Sequence, residues 1–199
     1  MNSTRDDLIA TTCDLLELQG YHATGLNQII KESGSPKGSL YYHFPGGKEE
    51  LAVESINHIG RIILQRIREN LALIEDPAES ISVFIHNIAL NVERSGFRAG
   101  GPITTIALET ASTHPTLRGE CQRIYGGWQA VFADKLKAGG LADARAGRMA
   151  ALIIAAIEGG VILCRTSQSR TPLEQVADEI AEMLDHATHP RQSQNPTSG

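Results

Sequence analysis

Cysteine is scarce in this 199-residue chain, and what there is does not cluster. Cys13, Cys121 and Cys164 are odd in number and far apart, with no CxxC pair and no Cys/His group. No metal or redox site is therefore legible, and structural thiols on helices are the expectation. Long β-branched runs are also scarce, whereas Ala, Leu, Ile, Glu and Arg are frequent, which favours an all-α chain. A broad basic field is missing: the formal net charge is -5 and the pI near 5.8. Even residues 1–48 hold only Arg5, Lys31, Lys37 and Lys48 against Asp6, Asp7, Asp14, Glu17 and Glu32. Any contact with nucleic acid must then come from a few well-placed donors, and nonspecific affinity should be modest.

Long apolar runs are absent too. The longest, Met149 to Ile157, ends at Glu158 and falls short of the ~20 residues of a membrane span. The opening residues carry no basic stretch followed by an apolar one, so no secretory leader is expected. A soluble, cytoplasmic protein with no membrane partner follows as an expectation. No nucleophile with a base and no metal cluster can be assembled, so the chain does not read as an enzyme, and no cofactor is expected. His86 and His114 lack partners at metal-like spacing; a polar helix face and a cap beside Pro115 suit them better.

What is present begins with helix punctuation. Ser3 and Thr4 precede Asp6 and Asp7 as a helix start, and Leu8, Thr12, Leu15 and Leu16 repeat at helical spacing up to Gly20. Thr24 is placed to cap a second helix with Leu26, Ile29 and Ile30 inward, closed by Gly34. Pro36 suits the start of a third helix, where Leu40 and Phe44 lie four apart and face inward. Two short helices joined by a glycine turn make a helix-turn-helix, whose second helix enters the major groove.

That second helix carries the donors. Lys37 and Ser39 sit at its N-terminal end, and Gly38 lets the backbone approach. Tyr41 and Tyr42 offer hydroxyls to phosphates and rings to thymine methyls; His43 and Lys48 would clamp phosphates, and Thr24 could donate from the supporting helix. Two adjacent tyrosines and a histidine cannot all face inward on one helix, so a purely structural hairpin has no reason to keep them. A helical scaffold or interaction protein without sequence-specific DNA binding is the competing expectation.

Six further helices are expected: Lys48 to Ile74, Ala78 to Arg94, Ile103 to Ala111, Thr116 to Ala138, Ala142 to Thr166, and Pro172 to Thr188. This divides the chain into a head at 1–47, a ligand-binding and dimerisation domain at 48–188, and a polar tail at 189–199 expected to be disordered. Phe84, Ile106, Tyr125, Trp128 and Phe132 could line an apolar cavity, with Glu109 and Glu158 as polar anchors. Equally, Glu158 could be a buried carboxylate paired with Arg123 or Arg165. Gly159 and Gly160 inside an apolar helix each cost about 1 kcal/mol relative to Ala and call for a close helix neighbour. With Ala155, Ala156, Leu173, Val176, Ile180 and Leu184 they could form a four-helix seam with a symmetry mate; intrachain packing is the other account.

The head resembles that of the TetR family of transcriptional regulators. The matching residues are Gly20-Tyr21, Ala23-Thr24, Ile29-Ile30, the Gly34 turn, Lys37-Gly38-Ser39-Leu40-Tyr41-Tyr42-His43-Phe44 and Lys48-Glu49-Glu50-Leu51. Two glycines, Gly46 and Gly47, stand where the family usually has one small residue. That looks like the LmrA-like branch, as does Gly101-Pro102 followed by Ile106-Ala107-Leu108-Glu109. The resemblance implies a homodimeric repressor on a near-palindromic operator, released by a small effector in the C-terminal domain. A hydrophobic or aromatic effector is expected.

Overall fold

A computed structural model describes residues 3–188. The described residues form nine helices: α1 (Thr4–Ala23), α2 (Leu26–Ser33), α3 (Lys37–His43), α4 (Gly47–Ala72), α5 (Pro77–Arg94), α6 (Pro102–Thr110), α7 (Pro115–Ala138), α8 (Asp143–Ser167) and α9 (Thr171–Thr188). The polar tail expected at 189–199 lies outside the described residues.

Local chemistry fixes most ends. Ser3 and Asp6 close a reciprocal capping box at the start of α1. Asp76 caps α5 by accepting from the Glu79 N–H at 2.8 Å, with Pro77 at the first helical position. Gly34 ends α2 in the left-handed conformation, at φ 65°. Gly20 does not end α1 but breaks it: with φ 80° and ψ 179° it turns the chain sharply, and the helix resumes to Ala23. Thr24 is not the cap of α2. Gly25 is, and the Thr24 hydroxyl donates back to Gly20 O at 2.6 Å, 1% exposed.

Two cores result. Leu8, Ile9, Leu15, Ile29, Leu40, Phe44 and Leu51 form the head core. Leu16, one residue after Leu15, belongs to the larger body core, so α1 is stitched to both. Helix α4 does the same, since Leu51 closes the head and Ala52 and Ile56 enter the body. Head and body are thus joined by two rigid helices rather than by a linker.

In the body, α5 packs on α9, and α7 on both α8 and α4. Among the described residues α8 alone has the length and apolar composition to cross a membrane, yet Ala146, Ala150, Ile153, Ile157, Val161 and Cys164 are buried against its own chain. The neighbour that Gly160 requires is α9. A Cβ there would stand 2.6 Å from Leu173 Cδ2 and 3.7 Å from Val176 Cγ2.

The seam expectation is accordingly corrected for most of its members. Leu173, Ile180 and Leu184 are buried in the protomer's own core, Val176 and Ala156 pack against it, and Gly160 faces α9. The apolar face of α9 at Leu173, Ile180 and Leu184 is thus used within its own chain. Ala155 and Gly159 are on the other face, and a Cβ on Gly159 would meet nothing within 4 Å. Leu152, Ile162 and Leu163 are exposed along the same helix.

Candidate nucleic-acid interface and internal cavity

Helix α3 is held from beneath by Leu40 and Phe44, both 1% exposed or less. These anchors fix the rotation of a seven-residue helix that could not persist alone. The Arg5 guanidinium lies over the Phe44 ring at 5.5 Å while pairing with Glu54 at 2.8 Å. Everything not needed by the core then faces outward. Lys37 and Gly38 are exposed, Ser39 and His43 half-buried, and Tyr41 and Tyr42 are 51% and 81% exposed. Tyr42 and His43 stack edge to face, with ring centroids 5.0 Å apart. Lys, Ser, two Tyr and His are so gathered on one surface around a backbone that Gly38 leaves bare.

Two of the expected contact residues are elsewhere. The buried Thr24 hydroxyl is committed to Gly20, leaving it no proton for a phosphate. The Lys48 ammonium sits 4.4 Å from the centre of the Tyr21 ring, where partial burial lowers its pKa and Glu109 opposes the shift. The second glycine of the Gly46-Gly47 turn takes the left-handed φ of 70° immediately before Lys48.

Tyr21 is the centre of the head–body junction. Its ring also meets His114 edge on, at 4.9 Å, and burial raises its phenol pKa. Next to it, Glu109 Oε2 accepts from the His22 N–H at 3.0 Å. Glu109, expected in the cavity, is therefore a junction residue: the C-terminal end of α6 aims it at α1 rather than inward.

A cavity of about 520 Å³ opens within the body. Phe84, Trp128, Phe132 and Glu158 line it as expected, with Ile63, Ile67, Ile88, Ile154 and Ile157. Phe84 and Phe132 meet edge to face at 5.7 Å, and Trp128 donates its indole N–H to Gly60 O at 3.2 Å. Ile106 does not reach the cavity; it is 1% exposed and lies in the core. Tyr125 also stands behind its wall, sharing a 3.0 Å hydrogen bond with the Thr104 hydroxyl. It lines a second, more open hollow of about 540 Å³ between α7 and α8, and Glu158 and Ile154 border both spaces.

Among the described residues Glu158 has no arginine partner. Arg123 pairs with Glu120 at 2.7 Å and reaches Asn57, and no ion pair among the described residues involves Glu158. Its carboxylate instead accepts the Thr104 hydroxyl. Burial pushes the Glu158 pKa up, and the hydrogen bonds from Thr104 and Tyr125 work against that.

Several cavity residues escaped the sequence. Asn70, Asn87, Asn91 and Arg66 lie on polar faces of α4 and α5 and read as solvated surface. Glu17 of α1 also reaches the cavity and accepts from the Gly100 N–H at 2.7 Å. Only long-range packing brings a head helix there, so no local pattern could have flagged it. The cysteines behave as structural thiols: Cys121 and Cys164 are buried, and burial drives Cys13 up to about 12 and Cys121 to about 11. His114 precedes α7 as expected, though its side chain makes no capping bond.

Comparison with known proteins gives a consistent picture. Residues 8–54 match the model for bacterial regulatory proteins of the tetR family, and residues 77–179 the model for the LmrA/YxaF-like transcriptional regulator C-terminal domain. The chain is 43% identical over 181 residues to the uncharacterized HTH-type transcriptional regulator YxaF of Bacillus subtilis (strain 168), covering 91% of this chain and 95% of the relative. It is 40% identical to the HTH-type transcriptional regulator LmrA of the same organism, covering 91% and 96%. Among solved structures, a TetR transcriptional regulator from Chloroflexus aurantiacus superposes with a TM-score of 0.76 at 28% identity, covering 91% of this chain and 93% of that one.

Proposed function

The chain belongs to the TetR family of bacterial transcriptional regulators, with an LmrA/YxaF-like C-terminal domain, and we propose that it is a dimeric repressor released from its operator by a small effector. Its relatives are regulators, and it is a DNA-binding regulator rather than an enzyme. The observation that carries the proposal is the division of labour on α3. Leu40 and Phe44 lock it into the head, while Lys37, Gly38, Ser39, Tyr41, Tyr42 and His43 face outward for base edges and phosphates.

Effector response is supported by how the cavity meets the head. Helix α6 is tied to α1 at both ends, through Gly100 N–H to Glu17 just before it and through Glu109 to His22 near its last turn. Pro102 and Ile103 of α6 line the cavity. A molecule bound there that favours one position of α6 over another shifts the balance between them, and α1 carries the difference to the head. A hydrophobic or aromatic body suits Phe84, Trp128 and Phe132.

Dimerisation is assigned to the outer stripe of α8, where Leu152, Ala155, Gly159, Ile162 and Leu163 recur at helical spacing, all exposed in the protomer except the half-buried Gly159. Two heads held one helical turn of DNA apart, roughly 34 Å or a multiple, read a near-palindromic site. The test is fluorescence anisotropy with DNA from upstream of the protein's own gene, against random DNA at two salt concentrations. Tight, specific, salt-dependent binding is expected. Equal weak binding to both DNAs would instead favour a helical scaffold.

A further inference from the structure

Glu158 is the only carboxylate of α8 after its first residue, and it stands where the walls of both hollows meet. Phe84, Trp128, Phe132, Ile154 and Ile157 give the larger cavity an apolar wall, and Asn70, Asn87, Asn91 and Arg66 a polar one. A carboxylate in such a setting is costly unless positive charge or several donors meet it. Among the described residues Glu158 meets two hydroxyls, from Thr104 and Tyr125, and no cation. The other carboxylate of the wall, Glu17, accepts the Gly100 N–H and has no ion-pair partner among the described residues. The one basic side chain of the wall, Arg66, is exposed and solvated. The interior thus has a chamber with apolar walls beside Glu158, whose carboxyl meets no cation among the described residues.

We infer that the effector is an amphipathic amine, with an apolar body between Phe84, Trp128 and Phe132 and a protonated nitrogen against Glu158. The inference rests on the reading of this cavity as the effector site. It also joins recognition to response. Thr104 is the α6 side chain that Glu158 holds, so an ammonium that draws the carboxylate away frees the helix that α1 grips at both ends. A neutral molecule of the same shape fills the chamber and leaves the Thr104 bond intact.

Two dansyl probes test this: dansylcadaverine, which ends in a primary ammonium, and the N-pentyl dansylamide, which ends in a methyl. Energy transfer from Trp128, the chain's single tryptophan, reads their binding. Wild-type protein should hold the ammonium probe about tenfold tighter, and Glu158→Gln should narrow the gap to about twofold by weakening that probe alone. Glu158→Asp keeps the charge and should keep the preference. Only the ammonium probe should release wild-type protein from operator DNA. Equal affinity of the two probes in wild-type protein overturns the amine assignment and leaves the cavity reading standing. A preference that survives Glu158→Gln overturns Glu158 as its source. Transfer to neither probe overturns the cavity reading and the inference with it.

Discussion

The Glu109 carboxylate lies directly beneath Gly20: a Cβ on that glycine would stand 2.0 Å from Glu109 Oε1. The same carboxylate accepts the His22 N–H at 3.0 Å. The break in α1 and the last turn of α6 are therefore one contact, made possible by a missing side chain and a backbone conformation only glycine tolerates comfortably.

Gly20→Ala should accordingly destabilise the fold by about 1–3 kcal/mol from backbone strain, with the Glu109 clash added to it. Glu109→Gln retains an acceptor for His22 and should be mild, whereas Glu109→Ala should speed amide exchange at His22 more than elsewhere in α1. Thermal melting and hydrogen exchange check both. Equal protection of His22 in wild type and Glu109→Ala would remove the contact from the coupling scheme.

On α3, exposed and buried substitutions should separate cleanly. Lys37→Ala should weaken operator binding and lower the salt slope by about one, with stability changed by less than about 0.5 kcal/mol. Tyr42→Ala should weaken binding with similarly little effect on unfolding. Leu40→Ala should cost about 2–5 kcal/mol in stability and abolish binding by unfolding the head. Anisotropy titrations beside urea melts distinguish the two outcomes.

The α8 glycines should diverge although they are adjacent. Gly160→Ala drives a methyl toward Leu173 and should cost about 1–3 kcal/mol by overpacking. Gly159→Ala meets open space in the protomer and should gain about 1 kcal/mol of helix propensity at the level of the isolated chain. Ile162→Asp, on the exposed stripe, should yield monomers in sedimentation without lowering protomer stability. A dimer that persists would move the interface elsewhere.

Glu158 gives a pH signature. Its folded pKa is raised above the unfolded carboxylate value by burial, so the native state binds the proton more tightly. Its contribution is then most favourable at acid pH and is lost as pH rises from the unfolded value through the folded one. Glu158→Gln removes that loss. Urea unfolding should show the variant gaining stability relative to wild type between pH 4.5 and pH 8; a constant difference would mean that Glu158 titrates normally.

Where the sequence was legible, the cause was local. The capping box of Ser3 and Asp6, the left-handed Gly34 and the Leu40–Phe44 pair each act within one turn of backbone, so residue types and spacing suffice to place them. The exposed face of α3 followed from the same pair, because two inward anchors on a seven-residue helix determine what points out. Phe84, Trp128 and Phe132 were legible as wall residues because large apolar side chains on helix faces turn inward whatever the fold.

Where it was not, two possible partners competed for one side chain. Thr24 has the chemistry of a cap, but the Gly20 break turned its hydroxyl back on α1. Lys48 could serve a phosphate or an aromatic ring, and the α4 start chose Tyr21. Glu109 could face the cavity or the head, and Leu173, Ile180 and Leu184 could face α5 or a second chain. By itself the sequence determined the helices, the capping box of α1, the Gly34 stop and the surface of α3, since those depend on backbone hydrogen bonding and the 3.6-residue period. Only the tertiary structure decided which partner each ambivalent side chain took, because burial and approach distance are properties of helices packed together, and one helix's sequence does not contain its neighbour.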